Sequence, residues 1–377
     1  MSSKSKTKSV EIDPDLGKKL FEEGATFIFL DVPPGTEFGI DMSVFYVADK
    51  FRGVKMIPPG LHFIYYSGVS KYGQSAPRTG FFHVFSPKEV LVRKWNKFDE
   101  TMSEEIVNSE ETERFRSNLK DMDRFLGAYP YKMWRNWVAL TSYITEPVLK
   151  SMEPESGIVC SVSQFVPETF LMSKNNPEME TDQMAASTSK TEDNLPELKL
   201  VPGTMLRFTK IPLRKHPEGA SPTEITKHNM DSTYLLEQVL LMYEKPEDIL
   251  AELQLSFVCF LVGHVYEAFE QWQKLIRILC NSDTALKLYG ELYLSFIVVV
   301  HFQLKEIPKD FFVDIVSSSN FLTTTFQIFF SNLENSTADE ALRSRGRKFK
   351  ESLTKIFKWD FESEPDDCAP VIVETSQ

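Results

Sequence analysis

Histidine and cysteine are scarce in this 377-residue chain, at six and four. That thins the side chains most used for acid–base chemistry, nucleophilic attack and metal ligation. The cysteines, Cys160, Cys259, Cys280 and Cys368, form no C-x-x-C pair, and no Cys/His spacing matches a zinc site. Glycine-rich phosphate loops of the common spacings are missing, as are H-E-x-x-H and G-x-S-x-G. The longest apolar runs, LQLSFVCFLV (253–262) and LSFIVVVHF (294–302), are too short to span a bilayer and read as buried helices. The start, MSSKSKTKSVEID, carries no apolar region behind its lysines. These absences point to a reducing compartment, cytosol or nucleus, and to no metal, cofactor or membrane partner.

What is abundant is phenylalanine, at 30, and acid, with 54 Asp and Glu against 42 Lys and Arg and a formal charge of −12. The sign argues against a chain built to grip nucleic-acid phosphates. The charge is also unevenly placed. Residues 151–200 hold nine acids and three bases, and residues 359–377 hold six acids and no base. Those two segments account for the whole −12, so the remainder balances to zero.

The organisation reads as α+β. Residues 1–10 are expected to be a disordered N-terminus, 11–150 a β-rich N-terminal domain and 151–200 an acidic, partly disordered linker region. A helical C-terminal domain at 201–358 and an acidic tail at 359–377 follow. EIDPDLGKKLFEE (11–23) predicts a short helix with Asp13 as N-cap, Pro14 at its first position and Gly24 as a left-handed stop. ATFIFLDV, VFYVADKF, LHFIYYSGV, TGFFHVFS and EVLVRKW predict strands of an antiparallel sandwich or barrel. The clusters PPGTEFGID, RGVKMIPPG, SKYGQSAPR and SPK between them predict turns. Residues 103–126 predict a helix with Phe115, Leu119, Met122 and Phe125 on one stripe and Gly127 at its end, then a second helix stopped near Pro147; this segment is expected to pack on the β-domain. A strand is expected near Met205–Lys210. From residue 230 the pattern is helical, with breaks expected near Gly263 and at Ser317–Ser319.

Several side chains invite a functional assignment. His264, in LVGHVYEAFEQW, lies near Glu267 and is the best centre for an enzyme alternative, although a helix-junction histidine paired with a polar neighbour fits the pattern better. His301 is similar. His62 and His83 lie in strand-like runs and can face one another, with no third ligand. RSRGRKFK (343–350) is the one basic run: an RNA contact, a partner for the acidic tail, or a solvated helix face. The tail, KWDFESEPDDCAPVIVETSQ, ends on three β-branched residues after Pro370, a segment suited to adding a strand to another protein's sheet edge or docking back on its own β-domain.

The longest blocks carry a resemblance. GTEFGIDMSVFYVADKFRGVKMIPPGLHFIYYS (35–67), FLGAYPYKMWRNWVALTSYI (125–144), ELQLSFVCFLVGHVYEAFEQWQKLIRILCNS (252–282), EIPKDFFVDIVSSSNFLTTTFQIFF (306–330) and WDFESEPDDCAPVIVE (359–374) closely resemble the Aar-two family, the A-one cistron splicing factors. The resemblance runs over nearly the whole chain, apart from the first ten residues and the linker at 171–198. It implies a β-rich N-terminal domain and a VHS/ENTH-like helical domain. It also implies an assembly chaperone of the U-five small nuclear ribonucleoprotein, cytoplasmic and nuclear, with no catalysis.

The implied partner is the Prp-eight splicing scaffold, bound at its RNase H-like and Jab/MPN domains, with premature Brr-two helicase binding blocked. Carried over, the partner-binding residues are Pro370, Val371, Ile372, Val373 and Glu374. Release by phosphorylation is expected to involve serines or threonines among acidic neighbours, with Ser187, Ser189, Thr191 and Ser336 as candidates.

Overall fold

Phe27 and Phe29 in one strand, with Ile28 between them, set up most of the N-terminal architecture. In a computed structural model, residues 14–69, 75–103, 107–162, 165–167, 198–307 and 321–361 are described. The chain divides into two compact units: Met1–Pro130, Met152–Arg207 and Gly263–Val265 form one, and Tyr131–Ser151, Phe208–Val262 and Tyr266–Gln377 the other. The expectations for residues 1–10, Asp13, the break at Ser317–Ser319 and the tail beyond Phe361 lie outside the described residues, as do residues 163–164 and 168–197 of the linker region.

In the first unit, helix α1 (Pro14–Glu23) leads into β1 (Ala25–Leu30), β2 (Glu37–Ile40), β3 (Ser43–Tyr46), β4 (Gly53–Ile57) and β5 (Gly60–Ser67). Then come β6 (Thr79–Phe85), β7 (Val90–Asn96), β8 (Thr101–Met102), β9 (Leu126–Ala128) and β10 (Val159–Cys160). They form two five-stranded sheets, ordered β8-β7-β1-β4-β9 and β10-β6-β5-β2-β3. A two-stranded ribbon pairs β11 (Phe165–Pro167) with β12 (Leu198–Leu200).

Strand alternation builds the sandwich. Phe27 lies 6.0 Å from Phe38 and 6.2 Å from Phe81 of the second sheet, and Phe29 lies 6.0 Å from Tyr66. Ile28 points the other way and joins Val90 and Val92 in a cluster. Phe115, Leu119 and Met122, from α2 (Ser109–Ser117) and α3 (Leu119–Met122), cover that cluster. Strand β1 is therefore buried on both faces, and each fully buried phenylalanine contributes about 2 kcal/mol.

The structure corrects several expectations. The second sheet is antiparallel, but the first is mixed: β1 runs parallel to β7 and β4 parallel to β9. Long intervening segments make those pairings possible, since a parallel neighbour needs a crossover. Two presumed turn clusters hold strands, β2 within PPGTEFGID and β4 within RGVKMIPPG. Gly53 reads as a turn residue, yet it serves close strand approach: its φ is 143° and a Cβ there would lie 2.0 Å from the Phe27 carbonyl. Gly24 is not left-handed; it is needed because a Cβ would meet the Leu20 carbonyl at 2.3 Å. Gly127 sits in β9, and the preceding helix breaks at Asn118. No strand forms over 205–210.

In the second unit α4 (Trp134–Thr141), expected against the β-domain, packs on α8 (Asp248–Leu261) and α11 (Gly290–Glu306). Pro147 does not stop α4; it lies in the first turn of α5 (Glu146–Met152). A missed helix, α6 (Pro222–Met230), starts with a complete capping box between Ser221 and Glu224. Next come α7 (Thr233–Leu240), α8, α9 (Tyr266–Cys280), α10 (Ala285–Leu288), α11, α12 (Phe321–Asn335) and α13 (Glu340–Phe357). The break near Gly263 falls between α8 and α9 as expected.

Helix α8 is the centre, buried from Ile249 to Cys259. Its polar residues are matched inside. The Glu252 carboxylate accepts from Thr209, Tyr243 and Gln271, Gln254 binds the Ala139 carbonyl and the Tyr143 N–H, and Gln303 of α11 binds Trp272 and the Leu253 carbonyl. Among the described residues no helix is long and apolar enough to cross a membrane.

Candidate functional site

The root of the acidic tail is fixed by aromatic packing. Helix α13 ends where Lys358 turns left-handed, with φ 61°. The chain then buries Trp359 and Phe361 on either side of Asp360. Trp359 stacks on Phe357 at 4.7 Å, and Phe361 meets the edge of Phe330 at 5.0 Å. Two apolar rings one residue apart are buried while the acid between them is exposed. The partner-binding candidates Pro370, Val371, Ile372, Val373 and Glu374 lie outside the described residues, as do Ser187, Ser189 and Thr191. The anchoring rings were not singled out from sequence, although two aromatics flanking an acid in an acidic stretch are a usable signal.

Ser336 lies in the turn between α12 and α13. Its hydroxyl donates to the Leu333 carbonyl at 3.0 Å and accepts from the Ala338 N–H at 3.3 Å. A phosphate there would break both bonds and add charge near Glu334 and Asp339.

His264, on a left-handed residue with φ 59°, has Arg78 as a partner. The guanidinium Nη1 donates to His264 Nε2 at 3.0 Å while Nη2 pairs with Glu37 and the group lies 4.6 Å over the Tyr65 ring. Partial burial and the Arg78 cation hold the His264 pKa below its ordinary value, against a pull upward from Glu37. The ring is therefore neutral at pH 7 and acts as an acceptor. Arg78 is 186 positions away, so no local signal could have paired them.

His62 and His83 are register partners across β5 and β6, as their strand placement suggested. Each has its own carboxylate: His62 binds Asp41 at 2.7 Å, and His83 binds Glu89 at 2.7 Å. Among the described residues no cluster of His, Cys, Asp and Glu suits a metal ion. Burial pushes the thiols of Cys259 and Cys280 up, so both stay protonated.

The basic run lies on α13 and does not form one open cationic face. Arg343 and Arg347 both pair with Glu340, and Lys350 pairs with Glu334. Arg345 and Lys348 turn the other way and flank His301 at a hollow of about 280 Å³. There burial, Lys305 and Arg345 hold the His301 pKa below its ordinary value.

Comparison with known proteins bears on the whole chain. A model described as the AAR2 N-terminal domain matches residues 23–154, and one described as the AAR2 C-terminal repeat region matches residues 208–362. The chain is 46% identical to mouse "Protein AAR2 homolog" over 97% of each protein. It is 38% identical to the Caenorhabditis elegans protein of that name, over 93% of this chain and 98% of the relative. It is 24% identical to yeast "A1 cistron-splicing factor AAR2", over 76% and 78%. With both family regions matched in order around this two-unit architecture, the chain belongs to the AAR2 family.

Proposed function

We propose that this chain is a pre-mRNA splicing factor, acting without catalysis as an assembly chaperone of the U-five small nuclear ribonucleoprotein in cytoplasm and nucleus. It binds the Prp-eight scaffold at the RNase H-like and Jab/MPN domains and keeps the Brr-two helicase off until release. The observation that carries this is similarity over nearly the full length to proteins of one family, whose yeast member is named a splicing factor. The pinned root at Trp359 and Phe361 supports a role for the tail, because it fixes where the segment ESEPDDCAPVIVETSQ begins.

The physics suits a temporary blocker. A strand added to a sheet edge gains main-chain hydrogen bonds, and ordering the segment costs entropy that moderates the affinity. Phosphate added beside an acidic surface weakens such a contact by repulsion. The test is capture of Prp-eight from extract by the full chain and by a chain lacking residues 365–377. Capture falls at least about tenfold for the shorter chain, a difference of about 1.4 kcal/mol. Equal capture by both sinks the tail's role, and failure of both sinks the partner.

A further inference from the structure

A second surface, on the helical unit alone, has the makings of a peptide site. The segment 208–215, which forms no helix or strand, borders a groove of about 580 Å³ together with residues of α7 and α9. Lys210, Lys215, Lys274 and Arg277 line it, and no Asp or Glu does. Such a one-sided set is unusual in a chain whose acids outnumber its bases 54 to 42. Lys274 has Glu270 at 3.8 Å, and Arg277 lies 5.3 Å over the Phe321 ring. Among the described residues, Lys210 and Lys215 have no carboxylate partner.

The floor and walls add specificity. Leu213 is 100% exposed, the kind of aliphatic side chain that a bound peptide would cover. Ile211, Pro212 and Ile278 continue the aliphatic lining. The segment is held in place at Thr209, whose N–H and hydroxyl bind Glu252 and whose carbonyl accepts from Gln271. A pre-fixed wall lowers the ordering cost of binding. The Oδ1 of Asn281, which also lines the groove, is buried and lacks a hydrogen-bond donor among the described residues.

We propose that this groove binds an acidic peptide segment of a partner protein, its carboxylates meeting the four cations and its aliphatic side chains covering Leu213. Charge complementarity selects the acidic partner. The aliphatic lining favours peptide over RNA, since single-stranded RNA is held by successive rings on which bases stack, and Phe208 is the one aromatic lining residue. The proposal stands on this geometry and does not depend on which partner the tail engages.

The test uses the full chain and a fluorescein-labelled short peptide of Glu, Leu and Val, followed by anisotropy. The peptide binds in the micromolar range at about 0.05 M salt and weakens steeply by about 0.3 M. Lys210→Glu with Lys215→Glu weakens it at least about tenfold. So does Lys274→Glu with Arg277→Glu, while Lys287→Glu, away from the groove, leaves it unchanged. Because Arg277 also packs on Phe321, the pair on the 208–215 segment is the decisive variant, and unchanged thermal melting shows that it folds. Absence of binding, or equal binding by the variants, overturns the proposal. Stronger binding of a short oligouridine at the same residues overturns it in favour of RNA. A gain of about tenfold on removing residues 362–377 assigns the groove to the chain's own tail instead.

Discussion

The Asp41 carboxylate and the His62 ring hold each other at 2.7 Å with side chains only 2% and 1% exposed. The other His62 nitrogen faces the Pro58 carbonyl at 2.7 Å, so each ring nitrogen lies within hydrogen-bond distance of an oxygen. Asp41 also accepts from the Phe63 N–H at 2.9 Å and from the Tyr129 hydroxyl at 2.5 Å. One carboxylate thus ties the β2–β3 turn, β5 and the residue just after β9 together.

Asp41→Asn is therefore expected to destabilise the first unit by about 3 kcal/mol, the usual cost of breaking a buried charged pair. Asn tolerates the left-handed φ of 53° that Asp41 adopts, so the loss reports the charge and not the backbone. Urea unfolding measures it. A loss below about 1 kcal/mol would show that a neutral amide serves equally and that the pair is not ionic.

Gly53 and Gly35 separate two reasons for glycine. Both have positive φ, 143° and 86°, but a Cβ at Gly53 meets the Phe27 carbonyl at 2.0 Å while one at Gly35 meets nothing within 4 Å. Gly35→Ala should cost about 1 kcal/mol from backbone strain alone. Gly53→Ala should cost more than about 3 kcal/mol or prevent folding, because β1 and β4 must part. Equal costs in denaturant unfolding would contradict the close approach.

The elements read best from sequence were those whose pattern is local. The strand runs around Phe27, Phe63 and Phe82 announce themselves by composition, and the Phe115, Leu119 and Met122 stripe lands on Ile28 by helical spacing. Strands β2 and β4 were hidden because Gly39 and Gly53, read as turn signals, are there for close approach: a Cβ at Gly39 would strike the Tyr65 ring. The parallel pairing of β1 with β7 was hidden because it joins segments more than 60 residues apart. At the candidate sites the same limit applies. The tail's composition is visible in sequence, but the Arg78–His264 pair and the groove beside 208–215 exist only once distant segments meet.

Asp231 gives an acid-side signature. Burial pushes its pKa up, but hydrogen bonds from the hydroxyls and N–H groups of Thr233 and Thr284 outweigh that and hold it below the ordinary value of 3.8. A depressed carboxylate stabilises the fold at pH values above its unfolded pKa, and the contribution disappears as pH falls through the folded one. Unfolding free energies of the natural chain and Asp231→Asn are thus expected to differ most above about pH 5 and to converge towards about pH 2. A constant difference across that range would mean that the carboxylate's charge is irrelevant to the clamp between α7 and α10.

The two rings at the tail root are buried together. Trp359 and Phe361 are 7% and 6% exposed, and they close a stack that includes Phe330 and Phe357. A chain ending after Phe361 keeps that stack and should unfold at the same denaturant concentration as the full chain. A chain ending after Lys358 loses both rings and should be destabilised by at least about 3 kcal/mol, the lower range for removing one buried aromatic side chain. Phe361→Ala in the full chain should lie between them. The intermediate value matters because it separates anchoring from chain length: the substitution removes a ring and leaves every later residue in place. If Phe361→Ala matches the natural chain while the shorter truncation is unstable, Trp359 alone holds the root. If ending after Phe361 is itself destabilising, residues beyond it take part in the fold, and removing residues 365–377 would test folding as well as binding.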